Sequence, residues 1–254
     1  MRQNNFMDYL LNPKNWWLPL LIIFVISFSG VLMMGLHTYT EAPPVPDFVA
    51  PDGKTVIDQR GIQNGQVLFQ KYALMEYGSM FGDGAYRGPD YSAEALHYTA
   101  LFMIDFYLRD SGSASEVTRL GTAEKVKKEI KTNTYQESTH SVTLTDGQVY
   151  AVNELVNYYL RVFTDSTHHQ AFSPTGYVSD PTEIRDLTAF FFWSGWVCGV
   201  ERPGKNYSYT HNWPFDPTAG NTASASVVIW SIIGSLGLLI GLGSVLYYHG
   251  RLEK

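Results

Sequence analysis

Two apolar stretches constrain this chain more than anything else in it. Trp16 to Leu36 and Val227 to Tyr248 contain no charged side chain, and as helices each is long enough to cross a hydrocarbon layer about 30 Å thick. Trp16, Trp17 and Tyr39 mark the ends of the first, and Trp230, Tyr247 and Tyr248 those of the second, as aromatics do at membrane interfaces. Arg2 and Lys14 precede the first stretch and Arg251 and Lys254 follow the second. The cytoplasmic bias of Lys and Arg then predicts both termini inside and everything between the spans outside. A signal peptide is the competing reading of the first stretch, but its apolar core would be unusually long and no A-x-A site follows. The expected division is a cytoplasmic N-terminus at 1–15, a span at 16–38, a Pro-rich linker at 39–54, an outside domain at 55–224, a span at 225–249 and a tail at 250–254.

Charge and cysteine usage remove several function classes. The formal net charge is −6, and the flanks hold four of the basic residues but only Asp8 and Glu253 of the acidic ones. The outside domain is therefore more acidic than the whole, which disfavours nucleic acid as a partner. Cys198 is the single cysteine, so an intrachain disulfide, a thiolate-pair metal site and a two-cysteine copper centre are excluded. Its setting, FFFWSGWVCGV, predicts a small buried thiol.

Along the outside segment, Glu41 to Gly53 carries four prolines and reads as a stiff extended linker. Ser92 with Glu94 can start a helix through Arg109, apolar nearly all round from Leu101 to Leu108 and so expected in the core, with His97 a satisfied partner rather than a ligand. Thr122 begins a short helix whose Lys125, Lys127, Lys128 and Lys131 make a solvated face. A short extended piece precedes Thr145, which with Gln148 forms a capping box for a helix from Asp146 to Phe163. His168 and His169 are adjacent and point apart, a poor metal pair. Asp180-Pro181-x-Glu183 starts another helix, with Ile184, Leu187, Phe191 and Cys198 inward and a stop at Gly199. Its aromatic excess predicts packing against a partner or membrane as well as the core. In the second span Gly234, Gly237, Gly241 and Gly243 are dense, and Gly237 with Gly241 makes a GxxxG suited to close helix packing.

The segment from Arg60 to Tyr91 opens like the first helix of a c-type cytochrome domain. Ile62, Leu68, Phe69, Tyr72 and Met75 recur at helical spacing, and Gly78, Gly82, Gly84, Gly88 and Pro89 end the helix in a tight loop. Where such a domain carries C-x-x-C-H, this chain reads Leu74-Met75-Glu76-Tyr77-Gly78. Covalent haem has nothing to attach to there.

GQVLFQKYALMEYGSMFGDGAYRGPDY, LTAFFFWSGW and RPGKNYSYTHNWPFDPTAGN together resemble the amino-terminal part of quinol-dependent nitric oxide reductases. The resemblance covers nearly the whole chain. It implies a mainly α fold, a haem-less cytochrome c-like periplasmic domain between two transmembrane helices, in a bacterial inner membrane. It also implies a large multi-span catalytic partner holding haem b, haem b3 and non-haem iron, with no cofactor bound by this chain alone. Because the sequence stops at Lys254, the expectation is a split enzyme with that partner as a separate polypeptide. Gly84-Ala85-Tyr86 matches the family's GAY motif, so the resemblance implies Gly84 and Tyr86 as calcium ligands shared with the partner. Carbonyl and hydroxyl oxygens suit that ion. Trp213, Phe215 and Trp230 are expected on the partner and quinol side, with Gly237 and Gly241 packing in the membrane. A nitric oxide dismutase-like complex and a two-span sensor are the alternatives, the latter lacking a cytoplasmic output module.

Overall fold

The computed structural model describes residues 13–15, 17–84, 87–110, 115–165 and 176–252. Its central feature is a helix crossing. Helix α2 (Gln59–Lys71) starts at Asp58, whose carboxylate accepts a hydrogen bond from the Gly61 amide at 2.7 Å. It buries Ile62, Gly65, Leu68 and Phe69, the face set by three-to-four-residue spacing. Helix α6 (Pro181–Gly199) starts at the Asp180 cap with proline in its first turn. The two meet at Gly65, where a Cβ would stand 2.0 Å from the Asp186 carbonyl oxygen and 2.7 Å from Phe190 Cβ. Only a residue without a side chain permits that approach.

Three further helices of the domain, α3 (Tyr91–Asp110), α4 (Glu116–Lys131) and α5 (Asp146–Thr164), surround this pair. α3 packs on α4, α5 and α6, and α5 also touches α6. Both halves of the Thr145–Gln148 capping box form. A small sheet closes one side: β1 (Asp47–Val49), β2 (Thr55–Ile57), β3 (Tyr135–Gln136) and β4 (Ser141–Thr143), in the order β2-β1-β4-β3. β1 and β4 pair in parallel with Phe48 opposite Val142. Both side chains are buried, and the Phe48 ring meets Phe192 and Trp196 edge-on at 5.1 and 5.5 Å.

Aromatic rings fill the interior. Tyr91 stacks on Phe191 at 4.5 Å, Phe69 meets Tyr91 edge-on at 5.9 Å, and Tyr159 lies 5.0 Å from Phe191. Burial pushes the hydroxyls of Tyr91, Tyr158 and Tyr159 well above their ordinary range, so all three stay neutral. Tyr158 and Tyr159 both donate to the Glu94 carboxylate, at 2.8 and 3.3 Å. Cys198 is buried as expected, its thiol pushed up to about 12 by desolvation.

Outside this domain in sequence lie α1 (Trp17–Thr40) and α7 (Ala225–Leu252). Each contains an apolar window of membrane-crossing length with no part buried in the chain, Leu20–Thr40 and Ala225–Ser244.

Several expectations need correction. α2 ends at Lys71, and Tyr72 and Ala73 turn the chain, so Met75 is 64% exposed rather than on the apolar face. Beyond Pro44 the proline-rich segment is no free linker: Asp47–Val49 is an inner strand of the sheet. α4 begins at Glu116, earlier than Thr122, because Ser115 caps it. Leu101 is exposed and Phe102, Ile104, Phe106, Tyr107 and Leu108 are only half-buried, while Met103 is fully buried, so that part of α3 buries one stripe rather than its whole circumference. The aromatic excess of α6 is absorbed internally: Phe190, Phe191, Phe192 and Trp196 are buried, and Trp193 donates its indole N–H to the Pro44 carbonyl at 2.9 Å. His168 and His169 lie outside the described residues.

Gly65→Ala is expected to lower the unfolding free energy by about 3 kcal/mol, since the added methyl meets backbone that cannot yield; urea titration followed by circular dichroism checks it. A milder effect concerns Glu183, which accepts from the Lys71 ammonium at 2.7 Å and from the Tyr72 hydroxyl. The Lys71 hydrogen bond, then that of Tyr72, holds the carboxyl below its ordinary value. Its contribution is therefore present above the unfolded-state value and lost as the pH falls through the folded one. Glu183→Gln should flatten the acid limb of the stability-against-pH curve slightly and leave stability near neutrality little altered in slope.

Candidate functional site

The loop between α2 and α3 is held by one carboxylate. Ser79 and Asp90 bridge its base, with the Ser79 amide donating to the Pro89 carbonyl at 3.0 Å and the Tyr91 amide to the Ser79 carbonyl at 2.9 Å. Asp90 Oδ2 accepts from Ser79 Oγ and from the Gly82 amide, both at 2.7 Å, while Oδ1 accepts from the Ala93 amide in the first turn of α3 at 2.9 Å. One side chain thus caps a helix and fixes the loop beside it. Asp83 and Gly84 follow, both exposed, with Gly84 at φ +83. Tyr86 lies outside the described residues.

A second loop, 201–224, is pinned by two buried asparagines. Asn212 accepts from the Ser208 amide at 2.9 Å and donates to the Thr222 carbonyl at 2.9 Å. Asn221 donates to the carbonyls of Cys198 at 2.7 Å and Pro214 at 3.2 Å. With the backbone so held, Trp213 and Phe215 remain 45% and 42% exposed, their rings edge-to-face at 4.8 Å across the cis Trp213–Pro214 step. Tyr209 instead packs on Trp196, and Tyr207 stacks on His211.

Trp213 joins the two loops. Its indole N–H donates to the Gly82 carbonyl at 3.1 Å, and its ring occupies the space a Cβ on Gly82 would fill, at 2.0 Å. Gly82 stands at φ +75, so backbone and packing both demand glycine. Beside this contact His97 Nδ1 meets Asp216 Oδ2 at 3.0 Å, the satisfied pairing expected for that histidine. Gly84, Trp213 and Phe215, far apart in sequence, therefore come from two loops clamped to each other.

Residues 46–215 match the family model for the cytochrome c-like domain of the nitric oxide reductase NorB chain. The chain belongs to this family. No curated protein matches it. In a cytochrome c-like domain the position after the first helix is where a covalent haem attaches. At the attachment position Leu74 is fully buried, Met75 and Glu76 face solvent, and neither thiol nor imidazole is present. Inward of it, the stack of Phe69, Tyr91 and Phe191 closes the interior. These residues do not fit a c-type haem.

The remaining expected positions lie on α7. Trp230 is 70% exposed, and a Cβ on Gly234, Gly237, Gly241 or Gly243 would meet no atom within 4 Å. Sequence reasoning missed Asp90, Asn212 and Asn221. Asp90 carried a usable signal, an N-cap residue before Tyr91-Ser-Ala-Glu94, but the asparagines acquire partners only through folding. Trp213→Ala should release the loop, speeding hydrogen exchange at the Gly82 amide about tenfold, the loss of roughly one hydrogen bond and its cover; unchanged exchange there would show that Asp90 holds it alone.

Proposed function

We propose that this chain is the non-redox companion of a quinol-dependent nitric oxide reductase. In this reading it anchors and shields the haem and quinol side of a large multi-span catalytic partner. That partner, a separate polypeptide, holds haem b, haem b3 and non-haem iron. It converts two nitric oxide molecules, two electrons and two protons into nitrous oxide and water. The observation that carries the proposal is the closed interior of a domain from this family: Leu74 to Gly78 supply no haem attachment, and aromatic rings occupy the space within. A domain built this way has no carrier with which to relay electrons. Electrons then enter the partner from membrane quinol.

The clamped loops supply the contact surface. Trp213 and Phe215 offer paired exposed rings, the type of residue that anchors interfaces. Gly84 and Tyr86 are the proposed calcium ligands shared with the partner, the exposed Gly84 lying in the same clamped loop. Trp230 continues the aromatic side into lipid and quinol. Gly237 and Gly241 leave room for a facing helix, as small residues do in membrane packing.

Gentle detergent purification through a tag on this chain, followed by an optical spectrum, tests the proposal. The expected result is b-type haem absorption with a co-purifying multi-span protein, and Gly237→Leu should cut the recovered haem severalfold. A haem-free chain migrating alone would sink the reading.

A further inference from the structure

The four lysines of α4 do not form one solvated face. Lys125 Nζ lies 3.4 Å from the Tyr107 ring centroid and 3.8 Å from Glu129, and Lys127 pairs with Glu124 at 2.8 Å. Lys128 and Lys131, in the last turn, instead line a depression of about 520 Å³ together with Arg202 and Lys205. Among the described residues, Glu201 is the one carboxylate lining it. Four cations gathered around one anion, in a domain with an acidic excess, concentrate positive potential at a single spot.

The depression is built by packing rather than by chance proximity. The Glu201 amide donates to the Lys131 carbonyl at 3.1 Å, and Asn133 donates to the Glu201 carbonyl at 2.9 Å, so the turn carrying Arg202 and Lys205 is fastened to the end of α4. Arg202 is oriented by its Nη2 bond to the Tyr209 carbonyl at 3.3 Å and by the Tyr209 ring at 4.9 Å. Helix-end carbonyls would repel an anion, but those of Lys128 and Lys131 already accept hydrogen bonds from Thr132 and Glu201. Lys131 is half-buried, and desolvation pulls its ammonium below the ordinary value; an anion beside it would reverse that.

Position supplies the ligand class. Lys131 Nζ donates to Asn221 at 3.3 Å, and four residues later Ala225 begins α7. At about 3.5 Å per residue Asn221, which Lys131 of the depression reaches, lies within about 14 Å of the start of an apolar helix of membrane-crossing length. Phosphates of a lipid leaflet occupy that zone.

We propose that this depression binds the phosphodiester headgroup of an anionic phospholipid. Arg202 and Lys131 contact the phosphate oxygens, and the exposed Lys128 and Lys205 supply attraction at the rim. The lining suits phosphate because it brings guanidinium and ammonium groups from two chain segments to one depression.

The test uses the full chain in nanodiscs of phosphatidylglycerol and phosphatidylcholine, with retained lipid read by native mass spectrometry. Phosphatidylglycerol should be retained in preference. The Lys128→Gln/Lys205→Gln variant should bind it about 30-fold more weakly, as two surface cations imply, while Lys131→Arg keeps it. Both rim lysines are exposed, so their loss leaves the fold in place, which circular dichroism verifies. Equal retention of the two lipids, or unchanged retention by the double variant, would overturn the proposal. Displacement of phosphatidylglycerol by equimolar inorganic phosphate would assign the depression to a free anion and overturn the lipid source.

Discussion

The structure depends on the backbone-to-backbone crossing of α2 and α6 at Gly65. A side chain at that point would occupy the place of the Asp186 carbonyl, so the two helices could not close to the distance at which Phe69 meets Phe190 and Phe191. The ring stack through Tyr91 to Tyr159 is assembled on that contact. α3 and α5 add their own aromatic faces to it, and the sheet closes over Phe192 and Trp196 through Phe48. The domain is thus a helical frame whose interior is lined by contacting aromatic rings.

That frame positions both the clamped aromatic loops and the basic depression. The loop after α2 leaves beside the start of α6, where Lys71 meets Glu183, the loop after α6 leaves from the opposite end of that helix, and Trp213 ties one to the other through Gly82. On another side, the end of α4 receives the turn that follows α6, which brings Arg202 and Lys205 beside Lys128 and Lys131. Each surface draws on the segment between α6 and α7. The same stretch that leads toward the second apolar helix also carries the aromatic pair and two of the four cations.

Much of the architecture was legible because its signals are local. The helix starts at Asp180-Pro181 and Thr145–Gln148 follow from side chains that reach amides two or three residues away. The fate of Met75 was not legible, because helical spacing continued past the point where Ala73 turns left-handed. Nor was the role of Asp47–Val49, whose parallel partner lies far along the chain at Ser141–Thr143. The candidate site divides the same way. Trp213 and Phe215 could be singled out by type, whereas their attachment to the Gly82 loop could not.

By itself, the sequence determined the two apolar spans, the acidic segment between them, the family motifs and the lack of any haem-attaching pentapeptide. Each depends on residue identity or on neighbours within a few positions. Tertiary structure alone decided which aromatics are consumed inside and which face outward, and that half the α4 lysines join a distant arginine. Those outcomes depend on contacts between residues dozens or more positions apart, and no local periodicity records such distances.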